Sequence, residues 1–261
     1  MGPSVTCYFQ PEKPKSRQVL DAFAAGVTAS GGLGRLEPVT VPQLDSGAAA
    51  FYGVRPSWKH LWRQALAEER DWYYLDNSWF DASRERYFRV GVNATQSWSP
   101  RPSDGTRLAA LGVEVKPWRP DGRHIVVCPQ SLEYLACVAG WAWGGQDWLK
   151  HVLHELKLNT DRRLIIRAKG GARPLAADLI GARALVTHSS AAAIEALLAG
   201  VPAIVTDRSC AAAPLAMMFA DIEAATIPEP AGRHDWAARL ADSQWNLTEL
   251  RDGLAWRMLQ Q

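Results

Sequence analysis

Residues 186–207, VTHSSAAAIEALLAGVPAIVTD, decide how the rest of the chain is read. An apolar run ends at Thr187, and the short polar turn His188, Ser189, Ser190 follows it. Alanines and leucines at helical spacing then lead to Gly200, and Pro202 opens a second apolar run that stops at Asp207. Glycine past a helix end and proline shortly after it are helix-stop signals, so the segment reads as strand, turn, helix, turn, strand.

The same unit recurs on the amino-terminal side. "HIVVCPQS", "RRLIIRAKG", "ARALVTHS" and "VPAIVTD" have strand composition, and "GGQDWLKHVLHELKLN", "PLAADLIG" and "SAAAIEALLAG" have helical periodicity. Alternating strands and helices predict an α/β fold with a doubly wound parallel sheet, in which ligands bind beyond the carboxyl ends of the strands. The residues expected at those ends are Pro129, Gln130 and Ser131; Arg167, Ala168, Lys169 and Gly170; Thr187, His188 and Ser189; and Thr206, Asp207 and Arg208.

Toward the amino terminus, "SVTCYF", "LEPVTV", "AAAFYGV" and "DWYYLD" read as strands, and "KSRQVLDAFAAGVTAS" and "PSWKHLWRQALAEE" as helices. The "GGLG" at residues 31–34 lacks the third glycine of a dinucleotide-binding loop and follows a helix instead of preceding one, so it reads as a helix stop. Beyond Tyr87, "YFRVGVNATQSW" and "RLAALGVEVKPWRPDGRH" read as strand-rich, broken by Pro100, Pro102, Pro117 and Pro120. The proline-rich, charged stretch 116–123 is the expected linker, dividing an α/β domain over 1–120 from a second over 121–261.

The chain has 261 residues, 48% of them hydrophobic, which is ample for packed cores. No uninterrupted apolar stretch is long enough to span a membrane and the amino terminus has no leader-like run, so a soluble, cytoplasmic protein is expected. Cys7, Cys128, Cys137 and Cys210 lack the Cys-x-x-Cys spacing of a zinc site or a disulfide framework and read as buried, reduced thiols. The glycosylation matches at Asn93 and Asn246 are then accidental. Net charge is only +2, yet Arg84, Arg86, Arg89, Arg101, Arg107, Lys116, Arg119 and Arg123 are interleaved with Tyr87, Phe88, Trp98 and Trp118. That mixture suits a nucleic-acid backbone with exposed bases, although by itself it reads first as a solvated arginine-rich surface over core aromatics.

The turn at 188–190 carries the chemistry. Ser189 and Ser190 are placed to cap a helix whose amino end attracts an anion, and Glu195, one and a half turns in, is placed to accept hydrogen bonds from a ribose diol. An ordinary capped helix with a surface glutamate has the same pattern. His188 is a candidate general base or phosphate ligand, or else a histidine bonded to a backbone carbonyl. Asp76 and Asn77 end a strand of the first domain, where Asp76 would take the proton of an attacking hydroxyl or would merely form a turn. Trp141, Trp143 and Trp148 read as packing residues.

From "LIGARAL" through "VTHSSAAAIEALLAGVPAIVTD", the chain resembles the donor-binding segment of GT-B glycosyltransferases, particularly those related to capsule-polysaccharide and surface-sugar enzymes. The resemblance covers roughly residues 126–207. It implies two Rossmann-like domains facing each other, the second holding a nucleotide-sugar substrate, with no further cofactor. It assigns Ser189 and Ser190 to the donor diphosphate, Glu195 to the ribose, and Arg167 and Lys169 to the charge of the departing phosphate. Three features depart from the pattern. The residues eight before and eight after Glu195 are Thr187 and Ala203, so a paired-glutamate arrangement is missing; no Asp-x-Asp metal motif occurs; and the chain is short for two full domains.

"RDWYYLDNSWF" followed by "RYFRVGVNATQ" is similar to segments of uncharacterised proteins of tailed bacteriophages, some of which accompany genes for modified DNA bases. This implies a hydroxymethylated pyrimidine in phage DNA as acceptor, with Arg84, Arg86, Arg89, Arg101 and Arg119 along the DNA backbone. The alternatives are a surface saccharide or small-molecule acceptor, or a non-catalytic nucleotide- or DNA-binding protein of the same fold.

Overall fold

The computed structural model describes residues 2–80, 86–137, 145–168, 170 and 173–261. The chain forms two compact α/β units: Met1–Trp79, Ser83–Ser99 and Asp242–Gln261 make the first, and Phe80–Ala82 with Pro100–Ala241 the second. Among the described residues, no helix is long and apolar enough to cross a membrane.

The first unit is built on a six-stranded mixed sheet. Its strands are β1 (Ser4–Phe9), β2 (Leu33–Pro38), β3 (Ala48–Tyr52), β4 (Trp72–Asn77), β5 (Tyr87–Val92) and β10 (Gln244–Asn246), in the order β10-β5-β4-β3-β1-β2. Pairings from β2 to β4 are parallel, whereas β5 runs antiparallel to both β4 and β10. Strand β1 buries its four middle residues, Val5 to Tyr8, on both faces of the sheet; edge strand β2 has no fully buried residue. Helix α1 (Pro14–Ala29) opens on a proline, whose missing N–H costs nothing there, and buries Val19, Leu20, Phe23 and Val27 along one stripe. That stripe packs with Leu250 and Trp256, from α9 (Leu247–Arg251) and α10 (Leu254–Leu259). Helix α2 (Lys59–Ala67) follows a single 3-10 turn at Pro56–Trp58, and Trp58 meets Phe51 and Tyr74 while Trp62 meets Trp72.

The second unit has a four-stranded, wholly parallel sheet in the order β7-β6-β8-β9: β6 (His124–Cys128), β7 (Arg163–Ile166), β8 (Ala182–Thr187) and β9 (Ala203–Val205). The connecting helices are α4 (Leu132–Cys137), α5 (Gly145–Asn159), α6 (Leu175–Leu179) and α7 (Ala192–Leu198), with α3 (Thr106–Ala110) before them and α8 (Arg233–Asp242) after. All six residues of β8 are buried, and Val127, Val186 and Ile204 pack with Trp148, Val152 and Leu156 of α5.

Three expectations change. Residues 106–110 are helical, not strand: Gly105 takes a left-handed φ of 75° and Asp104 Oδ1 accepts the Thr106 N–H at 2.9 Å, which starts a helix. The units part at Ser99/Pro100 and again at Ala241/Asp242, not at 120/121, because the last twenty residues add β10 to β5 and lay α9 and α10 on α1. Residues 116–119, expected in a linker, lie against the end of α7. Lys116 N–H donates to Leu198 O, and Arg119 donates from N to Gly200 O and from Nε to Ala199 O, each at 2.8 Å. Arg233 adds a bond from Nη1 to Leu197 O at 2.7 Å and clasps Lys116 O with Nη2, so each carbonyl from Leu197 to Gly200 has a donor.

Candidate functional site

Parallel order in the second unit brings the carboxyl ends of β6, β7, β8 and β9 to one edge of the sheet, and the residues beyond them are strongly polar. After β6 comes Gln130, whose Oε1 is shut off from solvent and has no hydrogen-bond partner among the described residues. Thr187 closes β8 with its hydroxyl donating to Cys128 O at 2.7 Å, which ties β8 to β6 at the point where both strands open into loops.

His188, the next residue, is 4% exposed. Its Nδ1 lies 2.9 Å from Thr206 Oγ1, and its Nε2 faces Asp207 Oδ2 at 3.8 Å. Trp148 of α5 donates its indole N–H to the same Thr206 oxygen at 2.7 Å, and the rings of Trp148 and Tyr134 each stand 6.4 Å from the imidazole. Burial pushes the His188 pKa down, and the Asp207 carboxylate pulls it partly back. Asp207 is held through Oδ1 by both the N–H and the hydroxyl of Ser209, each at 2.8 Å. Thr206 and Asp207 were foreseeable as strand-end residues; their grip on His188 was not, because it depends on β9 lying next to β8.

Ser189 and Ser190 occupy the turn between β8 and α7, as expected. The cap position itself falls to Ala191, which offers no side-chain cap, and Ser190 Oγ accepts a bond from Ala192 N–H at 3.3 Å. Glu195 lies in the first turn of this seven-residue helix, half-buried. It is near enough, with Asp178, to help raise the pKa of Cys128, which burial chiefly pushes up to about 12 against the pull of Arg167. That thiol stays protonated.

Arg167 follows β7 as expected, yet its guanidinium is already engaged. Nη1 pairs with Asp178 Oδ2 at 2.5 Å and Nη2 bonds Arg173 O, while Arg173 Nη2 reaches Asp178 Oδ1 at 2.8 Å. Asp178 is 7% exposed, so this is a built arginine–carboxylate cluster at the strand edge. Lys169 lies outside the described residues, as do Trp141 and Trp143. Among the described residues, no three His, Cys, Asp or Glu side chains gather as a metal-binding group.

The fold has solved relatives. No protein-family model and no curated protein sequence matches the chain. Among solved structures, the chain is similar over 99% of its length, and 100% of the other's, to KpsC, beta Kdo 2,7 transferase, of Thermosulfurimonas dismutans, at 11% identity and a TM-score of 0.50. The beta Kdo 2,4 transferase of the same KpsC matches over 92% of this chain and 91% of that one, at 11% identity and a TM-score of 0.47. The first likeness extends over the whole chain and shows a shared fold: two α/β units with parallel strands, as the sequence led one to expect.

In the first unit, Asp76 does end β4, but both its oxygens are occupied. Oδ2 meets Arg89 Nη2 at 3.0 Å and the Tyr74 hydroxyl at 3.2 Å, while Oδ1 accepts the Asn77 N–H at 2.8 Å. A carboxylate so engaged is poorly placed to take a proton. Arg89, only 9% exposed, lies with its guanidinium 4.3 Å from the Trp79 ring centre and is not an outward-facing cation. Arg86, Arg101 and Arg119 are exposed, although Arg119 is also bonded to the end of α7; Arg84 lies outside the described residues.

Proposed function

We propose that this chain is a glycosyltransferase that holds a nucleotide-activated sugar at the strand-end edge of its second unit and passes the sugar to a hydroxyl of a saccharide acceptor. The observation that carries the reading is the convergence there of Gln130, the Arg167–Asp178 cluster, the His188–Ser189–Ser190 turn and Asp207 beyond four parallel strands. A crevice at the carboxyl edge of a parallel sheet is where nucleotides bind in such folds. In this reading Ser189 and Ser190 meet the diphosphate, Glu195 meets the ribose, and the basic groups near β7 offset charge as the nucleotide departs. The supporting fold likeness is to a protein named as a Kdo transferase, so activated Kdo is the first donor to try.

A saccharide is favoured over DNA as acceptor because the arginine set expected to follow a DNA backbone is depleted: Arg89 is spent inside the first unit on Asp76 and Trp79. The test is calorimetry and product analysis with a panel of nucleotide-activated sugars, activated Kdo among them, and with saccharide and hydroxymethylated-DNA acceptors. Binding of one donor, weakened about tenfold or more in Glu195→Gln by loss of a charged hydrogen bond, supports the reading. Absence of binding or turnover across the panel overturns it, and transfer to DNA in preference to saccharide overturns the choice of acceptor.

A further inference from the structure

The contacts of the Trp148–Thr206–His188–Asp207 chain favour one placement of its hydrogens. An indole nitrogen only donates, so the 2.7 Å contact makes Thr206 Oγ1 the acceptor of the Trp148 N–H. The Thr206 hydroxyl has one hydrogen of its own, and the nitrogen it meets is His188 Nδ1 at 2.9 Å. Donation there leaves Nδ1 as a bare acceptor and puts the ring proton on Nε2. Asp207 acts in the same sense, because a carboxylate oxygen 3.8 Å from Nε2 favours an N–H over a lone pair. In the opposite tautomer Thr206 Oγ1 would accept from both Trp148 and His188, the Thr206 hydrogen would lose its imidazole acceptor, and the bare Nε2 lone pair would face the Asp207 carboxylate. Burial keeps the ring uncharged near neutral pH, and its other ring neighbours, Tyr134 of α4 and Trp148 of α5, carry no charge there.

We infer that Thr206, braced by Trp148, is a positioning residue that locks His188 as its Nε2–H tautomer. The sheet edge then presents a hydrogen-bond donor coupled to the Asp207 carboxylate in place of a free imidazole base. Ligand oxygens are what such a donor serves, and its catalytic weight rests on the transferase reading; the tautomer itself does not. Of the two chemical roles that sequence alone offered for His188, this removes the general base, since an Nε2 that already holds a proton cannot take one from an acceptor hydroxyl, and keeps the ligand to phosphate oxygens.

The experiment is nitrogen-15 NMR of the imidazoles in the full-length protein at neutral pH, with the His188 signals identified by their loss in His188→Gln. The expected result is a protonated Nε2 and an unprotonated Nδ1 in the wild type, with the Nδ1–H form becoming the major one in Thr206→Val and the original pattern returning in Thr206→Ser. A wild-type ring protonated on Nδ1, or a Thr206→Val spectrum identical to wild type, overturns the lock. Should Thr206→Val not fold, the wild-type and Thr206→Ser spectra still decide the tautomer. If a nucleotide sugar is turned over, Thr206→Val should lower kcat about tenfold or more with KM little changed, as expected of a misaligned group. An altered tautomer with unaltered kcat would overturn the positioning role. The expected spectra with no turnover by any variant leave the lock standing and remove the transferase reading.

Discussion

Replacing Gly200 by alanine tests whether residues 116–119 are a structural brace for α7. Gly200 has a φ of 78°, and a Cβ there would stand 1.9 Å from Pro117 O and 2.9 Å from Pro117 C. Both atoms are backbone, so relief requires the 116–119 segment to move away. A left-handed alanine costs about 1–2 kcal/mol. Displacing the segment forfeits the bonds from Lys116 N, Arg119 N and Arg119 Nε to the end of α7, at about 1 kcal/mol each. The expected loss is therefore about 4–5 kcal/mol. Gly181→Ala is the control, because Gly181 has a similar φ of 71° with nothing within 4 Å of its would-be Cβ, which leaves only the backbone cost. Urea unfolding followed by tryptophan fluorescence and circular dichroism reads both, the midpoint shift being meaningful where the slope is unchanged. Equal losses in the two variants would refute the brace and return 116–123 to the status of a linker.

Burial lowers the His188 pKa in the folded chain, so its contribution to stability is fully present above the ordinary histidine value of about 6.5 and is lost as pH falls through the lower, folded value. Stability measured between pH 7 and 5 should thus fall less steeply in His188→Gln than in the wild type, and parallel curves would contradict this. Asp178→Ala leaves the Arg167 guanidinium without its carboxylate and should cost about 2 kcal/mol, discounted for partial exposure, in thermal or urea unfolding; a neutral result would mean the cluster adds nothing. Arg89→Ala should destabilise the first unit by about 2 kcal/mol whereas exposed Arg86→Ala changes stability by less than about 0.5, and equal effects would contradict the buried Asp76–Arg89–Trp79 arrangement.

The second unit was legible because strands buried on both faces of a parallel sheet must be apolar runs, and α6 and α7 are followed by left-handed Gly181 and Gly200. "ALVT" and "AAIEALLAG" could hardly be read otherwise, and β8 and α7 fall where they should. The return of the chain to the first unit was not legible, because β10 is three residues long and α9 five. One signal for it was present: Asn246 and Glu249 form a capping box, each side chain accepting the other's backbone N–H at 2.9 Å, and Asn-x-x-Glu is readable as a helix start. Nothing in three residues says which strand they will pair with.

Arginines were the least legible part, for a physical reason. A guanidinium carries five donors in a plane, so it satisfies backbone carbonyls that no water can reach as readily as it binds a phosphate. Arg183, 5% exposed, spends its nitrogens on the carbonyls of Pro120, Ile222 and Ala224, and Arg233 holds Leu197 and Lys116 in the same way. Spacing along the chain is identical for a structural arginine and a ligand-binding one; only the fold distinguishes them. The distinction bears directly on the strand-end site. With both Nη atoms of Arg167 already bonded, an arriving phosphate must share that guanidinium with Asp178 or displace the carboxylate. Asp178 therefore sets how much positive charge the site offers an anion. In Asp178→Asn, which keeps the shape but removes the competing charge, the affinity for free inorganic phosphate should rise severalfold. An unchanged affinity would mean that Arg167 braces β7 to α6 and takes no part in binding.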